Sequence, residues 1–120
     1  MIEGVIEIRG LRCRGRQGTT DEERANEQDY LVDVWITADV ERAIARDDLA
    51  EAIDISAIAD AVRASVAERP RTLVERIAGD VARAILARFP RVSDTRVKVT
   101  KPHPAGLGAD AESVEISLRR

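Results

Sequence analysis

Alternation of apolar and polar positions opens the chain. From Val5 to Arg14, VIEIRGLRCR, Ile6 and Ile8 hold one strand phase while Leu11 and Cys13 hold the other, so the period of two slips at Gly10. A glycine at a phase slip predicts a β-bulge or kink. Residues 15–29, GRQGTTDEERANEQD, are polar with Gly15 and Gly18 in front, and read as a long loop. YLVDVWITADV then alternates cleanly, with Tyr30, Val32, Val34, Ile36 and Ala38 on one face and Leu31, Asp33, Trp35 and Thr37 on the other. The spacing predicts a second strand, able to pair with the first as a hairpin across the polar loop.

Residues 41–53 are mixed Ala, Asp and Arg, either irregular or a short helix. Beyond Asp54 the period becomes helical, with Ile55, Ile58, Val62 and Val66 on one stripe that stops by Pro70. A second helix is predicted from TLVE to Phe89, its apolar face built of Leu73, Ile77, Val81 and Ile85 and its end marked by Pro90. DTRVKVTK alternates again through Val97 and Val99, and ESVEISLRR does so through Val114, Ile116 and Leu118, with the Pro- and Gly-rich PHPAGLGADA between them. The order β-β-α-α-β-β predicts an α+β fold, a four-stranded antiparallel sheet with both helices on one face. No shift of composition divides residues 1–120, so a single domain is expected.

Composition changes this picture in three places. The chain is 44% hydrophobic but only 2% aromatic, so the core must be built from Val, Ile, Leu and Ala. Charged residues make up 34%, mixed in sign with a net charge of -3 and no dense basic patch, which argues against nucleic acid as a partner. Cys13 is the one cysteine, which excludes an internal disulfide and fits a reducing compartment. No apolar run approaches the roughly 20 residues of a membrane span and no signal-peptide pattern opens the chain, so a cytoplasmic protein is expected. Half-apolar strands on a small domain also favour self-association.

Of 19 basic residues only Lys98 and Lys101 are lysine. An arginine cannot act as acid or base near neutral pH, whereas a lysine amine can once burial or neighbours tune it. Lys101, at a strand end facing a loop, is therefore a candidate proton-transfer group; the competing reading is a solvated sheet-edge lysine, which is the reading for Lys98. Glu75 also carries two readings. TLVE has the form of a capping box, Thr72 accepting from the backbone at N3 and Glu75 reaching back to the N-cap amide. Alternatively Glu75 is a carboxylate held beside free N–H groups, suited to gripping the guanidine-like edge of a heterocycle. Asp21, Glu22 and Glu23 form an acidic run that reads as solvated. His103 between two prolines has no Cys or His partner at ligand spacing, and Gly106 and Gly108 lack the strand-to-helix context of a nucleotide loop.

Taken in order, IEIRGLRCRGRQG, DEER, YLVDVWITADV, DDLAEAIDISAIADAV, TLVERIA and VKVTKPHP resemble the dihydroneopterin aldolase family over nearly the whole chain. The resemblance implies a tunnelling fold whose subunits assemble into rings, typically octamers of two stacked tetramers with sites at subunit boundaries. It implies a lyase that cuts the side chain of 7,8-dihydroneopterin by a retro-aldol step, giving 6-hydroxymethyl-7,8-dihydropterin and glycolaldehyde. Neither metal nor other cofactor is implied, the protonated pterin serving as electron sink. By position, Lys101 is expected to move protons, Glu75 with the Val74 backbone to anchor the pterin, and Glu23 to sit near the substrate side chain. Two departures stand out. Ile55 occupies the place of a tyrosine that stacks on the pterin from a neighbouring subunit, so it can cover a ring but not relay a proton. Gln17 stands where a histidine is common. A pterin-binding or scaffolding paralogue, or a related pterin enzyme that epimerises or oxidises the same ring, is the alternative these departures raise.

Overall fold

The phase slip at Gly10 lets the whole first strand face one core. In the computed structural model, which describes residues 1–120, β1 runs Glu3–Gly15 and pairs antiparallel with β2, Gln28–Asp39. Ile6, Ile8, Leu11 and Cys13 all lie opposite the same β2 set, Ile36, Val34, Val32 and Tyr30, because the register shifts between Ile8 and Leu11. Gly10 makes the bulge at φ 68°, a left-handed conformation glycine adopts without penalty, and its N–H donates to Asp33 Oδ1 at 2.6 Å.

The polar stretch after β1 contains a short helix rather than a bare loop. α1, Asp21–Ala25, is capped by Thr20, whose hydroxyl accepts from the Glu23 N–H, and three acidic residues fill its first turn. Five residues without an apolar period leave no helical signal to read. After β2 come α2, Glu41–Arg46, and a single 3₁₀ turn at Leu49–Glu51, which resolves the ambiguous stretch in favour of short helices. α3, Ile55–Ala67, starts where Asp54 accepts from the Ala57 N–H. α4 spans Val74–Arg88, β3 Val92–Pro102 and β4 Ala111–Arg119. The sheet order is β1-β2-β3-β4, antiparallel throughout.

Both long helices cover one face of this sheet. Ile58, Val62 and Val66 of α3 and Ile77, Val81 and Ile85 of α4 are fully buried against Val32, Val34, Val97 and Val99. Each such aliphatic side chain contributes about 1.5–3 kcal/mol by burial. Ala61, Ala78 and Ala82 are buried as well, which lets the helices lie close, and Tyr30 is the one fully buried aromatic. On the other face Trp35 lies under the Arg96 guanidinium, 4.1 Å from the ring centre. No helix is long and apolar enough to cross a membrane.

One helix-end expectation and one strand expectation change. Leu73, not Thr72, is the N-cap of α4 and no side chain caps this helix, so the Thr72–Glu75 capping box does not form. Thr72 lies one residue too early for its hydroxyl to reach the third helical N–H. The T-x-x-E pattern is instead realised at Thr20–Glu23, where the Thr20 hydroxyl accepts from the Glu23 N–H at 3.2 Å and donates to Glu23 Oε1 at 3.1 Å. β3 is an inner strand, paired on both sides, so neither Lys98 nor Lys101 is a sheet-edge lysine.

Candidate active site

Period two along β3 decides where Lys101 points. Val97 and Val99 face the core, so the next residue in that phase does too, and Lys101 is 5% exposed. Its ammonium has three N–H donors and meets three acceptors: Glu23 Oε2 at 2.9 Å, Gln17 Oε1 at 3.1 Å and the Gln17 carbonyl at 3.3 Å. Burying a charge is tolerated only when it is paired and hydrogen-bonded, and both conditions hold here. Lys98 falls in the opposite phase, half-buried on the far face of the sheet.

Glu23 reaches Lys101 because Gly18 leaves room. A Cβ on Gly18 would stand 2.2 Å from the Glu23 Cβ. The hydrogen bond from Lys101 holds the Glu23 carboxyl below its usual range, helped by Thr20 against a smaller opposing effect of burial. Of the acidic run, then, Glu23 is the member turned inward, while Asp21 pairs with Arg24 at 2.5 Å on the surface.

Gln17 joins this cluster to the start of α4. Its Nε2 donates to the Thr72 carbonyl at 2.8 Å, and its Oε1 also accepts from the Tyr30 hydroxyl at 3.3 Å. The Gln17 carbonyl takes a further bond from Gln28 Nε2 at 2.9 Å. Backbone bonds from Gly18 to Arg71 and from Arg71 to Arg16 zip the two segments together. Arg71 fixes the second of them. It is buried and donates to the carbonyls of Ser65, Val66 and Arg69 and to Asp80, tying the end of α3 to α4. Burial raises Tyr30 to about 12, with the charges of Glu23 and Glu112 adding to the effect, so its hydroxyl remains a neutral donor. Burial likewise pushes the Cys13 thiol up to about 11, against a smaller opposing pull from Arg63, so Cys13 offers no thiolate at neutral pH.

A cavity of about 200 Å³ opens beside Lys101, lined by Gln17, Glu23, Glu112, Pro104 and Leu107 among others. Pro104 of the Pro-His-Pro break lines it, and His103 just before sits at φ 49°, exposed, its N–H bonded to the Asp110 carbonyl at 2.8 Å. Val74 and Glu75 are the first two residues of α4, where no intrahelical acceptor reaches the N–H groups, and none elsewhere in the chain takes them. The Glu75 side chain is exposed and bonds to nothing within the chain. Lys101 and Glu23 are thus in direct contact, and Val74–Glu75 follow the Thr72 carbonyl that Gln17 holds.

Ile55 lies elsewhere. It opens α3, is 37% exposed, and follows residues whose carbonyls, Glu51 and Ala52, bond to Arg91 at the start of β3. Lys101 is at the other end of that strand, roughly 30 Å away at about 3.3 Å per residue. One chain cannot place Ile55 over its own Lys101.

Gln17 and Arg71 escaped the sequence as working residues. Gln17 acts through a bond to Thr72 fifty-five positions away, and one buried arginine carries no local mark among so many exposed ones. For Lys101 the usable signal was its phase after Val97 and Val99.

A family model described as dihydroneopterin aldolase matches residues 6–119. The chain is 36% identical to the dihydroneopterin aldolase of Streptomyces coelicolor over 115 residues, 96% of this chain and 95% of that protein. A crystal structure from Vibrio cholerae under the same family name superposes over 100% of both chains with a TM-score of 0.91 at 29% identity. An E. coli dihydroneopterin aldolase, solved in complex with neopterin, does so over 96% of this chain and 98% of that one, with a TM-score of 0.87 and 31% identity.

Proposed function

The chain belongs to the dihydroneopterin aldolase family, and on that premise we propose that it cleaves 7,8-dihydroneopterin by a retro-aldol step to 6-hydroxymethyl-7,8-dihydropterin and glycolaldehyde. The observation that carries this reading is the buried Lys101 ammonium, paired with Glu23 at a cavity and linked through Gln17 to the open N-terminus of α4.

Each residue then has a task. Glu75 accepts hydrogen bonds from the 2-amino group and ring N–H of the pterin, and the free N–H groups at Val74 and Glu75 meet its acceptor edge. The reaction removes a proton from the side-chain hydroxyl, breaks the adjacent C–C bond to release the aldehyde, and moves the bonding pair into the protonated ring. A proton then returns to the side-chain carbon. Lys101 carries these protons, and Glu23 orients the side-chain hydroxyls. General acid–base groups of this kind contribute roughly 10²–10⁴ in rate.

The separation of Ile55 from Lys101 supports a site completed by a second copy, Ile55 of one chain covering the pterin held by another. Both outer strands, β1 with 13 residues and β4 with 9, leave a row of backbone groups unpaired, the geometry for strand-to-strand closure into a ring. We place the assembly as an octamer of two tetrameric rings and the protein in the cytoplasm. A second reading, pterin binding without turnover, draws on Ile55, which has no hydroxyl to relay protons. The deciding experiment is product analysis of purified protein with 7,8-dihydroneopterin. Glycolaldehyde release that Lys101→Ala abolishes supports the lyase, whereas pterin binding with no release selects the second reading.

A further inference from the structure

Gln17 is the one side chain that touches both halves of the site. Its amide has only one sensible orientation. Thr72 O can only accept and Lys101 Nζ in its ammonium form can only donate, so Nε2 must face the first and Oε1 the second. A flip would set oxygen against oxygen and N–H against ammonium. The residue is 5% exposed and every polar atom of its side chain is engaged, so it has no slack to turn.

The three acceptors around Lys101 also differ in how firmly they are held. Two belong to Gln17: a backbone carbonyl braced by Gln28 and a buried side-chain oxygen braced by Tyr30. The third is a carboxylate that is 25% exposed and mounted on a five-residue helix facing the cavity. With all three donors used, Lys101 can offer an N–H to a ligand only if one acceptor yields. Glu23 is the one able to yield, because water or a ligand hydroxyl can take its place.

We infer that Gln17 is a positioning residue for the reaction proposed above. It holds two of the three Lys101 donors fixed, so that the third, released by Glu23, is aimed at the substrate hydroxyl. At the same time it sets the segment from which α4 presents the pterin anchor. The inference rests on the aldolase reading, and two variants separate the two. Gln17→Met keeps the bulk and removes both polar atoms. Gln17→His restores a donor on one ring nitrogen and an acceptor on the other.

The assays are steady-state release of glycolaldehyde from 7,8-dihydroneopterin, thermal unfolding of the same preparations, and the ¹⁵N–¹H signal of the lysine ammonium. With only two lysines, the Lys101 signal is identified by its loss in Lys101→Met. Gln17→Met is expected to lower kcat roughly 10- to 100-fold and to raise KM, as displaced supporting groups do. The slowly exchanging Lys101 signal should disappear, and Gln17→His should recover most of kcat. Unchanged kcat and an unchanged ammonium signal in Gln17→Met would overturn the inference. So would equal losses in the Met and His variants accompanied by matching drops in melting temperature, since that pattern belongs to packing. Absence of turnover in the unaltered protein, with the protected ammonium signal present and lost in Gln17→Met, would instead remove the aldolase reading and leave the positioning geometry standing.

Discussion

Replacing Lys101 by methionine separates chemistry from stability. The side chain keeps its length and loses its charge. In most buried ion pairs, deleting one partner strands the other and costs about 3–5 kcal/mol. Here two of the three acceptors keep a second partner, and the third belongs to a carboxylate whose other oxygen stays bonded. Gln17 Oε1 retains the Tyr30 hydroxyl, the Gln17 carbonyl retains Gln28 Nε2, and Glu23 Oε1 retains the Thr20 hydroxyl. Glu23 Oε2 loses its partner, but the side chain is 25% exposed and can turn to water. The variant also no longer has to desolvate an ammonium. These effects offset, so the change in unfolding free energy should stay within about 1 kcal/mol of zero, a melting shift of at most roughly 4 °C. Turnover should fall by at least about 10². The assay is glycolaldehyde release and thermal unfolding on one preparation at fixed protein concentration. A loss of 3 kcal/mol or more with activity in proportion to folded protein would show Lys101 to be a structural ion-pair member, and the mechanism above would fall.

Other outcomes follow from the same geometry. Glu75→Gln should weaken pterin binding about tenfold or more in a fluorescence titration while shifting stability by less than about 0.5 kcal/mol, because no cap bond is lost. Ile55→Tyr should raise turnover, and a mixed assembly of Ile55→Tyr and Lys101→Met chains should show whether the gain acts across copies. Arg71→Met should destabilise by about 2–4 kcal/mol in denaturant titration, since three carbonyls lose a buried donor together and Asp80 is left with Arg76 and a longer bond from Arg69. On acidification three carboxyls matter: Asp39, lowered by the Glu41 N–H with help from that of Ile2, and the more enclosed Glu23 and Asp80. Glu23 is lowered by its bond from Lys101; burial pushes Asp80 up, but Arg76 and Arg71 more than reverse this and leave it lowered. A carboxyl lowered in the folded state stabilises it fully above the unfolded value and loses that contribution as pH falls through the lowered one. Stability should therefore hold from pH 7 to about 5 and decline below about 4, with the Glu23 part absent in Glu23→Gln.

Elements with a long apolar period were legible. The β2 alternation, the Gly10 slip and the stripes of α3 and α4 bury what the pattern says except at the two helix starts, where Ile55 and Leu73 stay exposed, because a face of several aliphatic residues leaves no other stable packing. What escaped was set by contacts distant in sequence. The T-x-x-E signature occurs three times, at Thr19, Thr20 and Thr72, and nothing local tells that Thr20 caps its helix while Thr72 precedes one. Thr72 is placed by its carbonyl bond to Gln17, fifty-five positions away. Glu23 looked solvated among acidic neighbours because α1 is too short to show which of them turns inward.

The lysine that set this chain apart has a plainer reason for being lysine than acid–base chemistry alone. Its pocket supplies three oxygens, matching three ammonium donors. A guanidinium would bring five donors in a rigid plane, two of them buried without partners, at about 1–3 kcal/mol each or more for charged groups. Arginine is therefore excluded at position 101 by satisfaction before catalysis is considered, and rarity of lysine does not discriminate between a structural and a chemical role. What does discriminate is the quality of the third acceptor. A purely structural ion pair gains from two fixed, enclosed partners. Here one partner is partly exposed, sits on a single-turn helix and borders a cavity, an arrangement that gives up stability to keep one donor exchangeable. That asymmetry, rather than the identity of the residue, is the feature on which the proposed proton-transfer role of Lys101 rests.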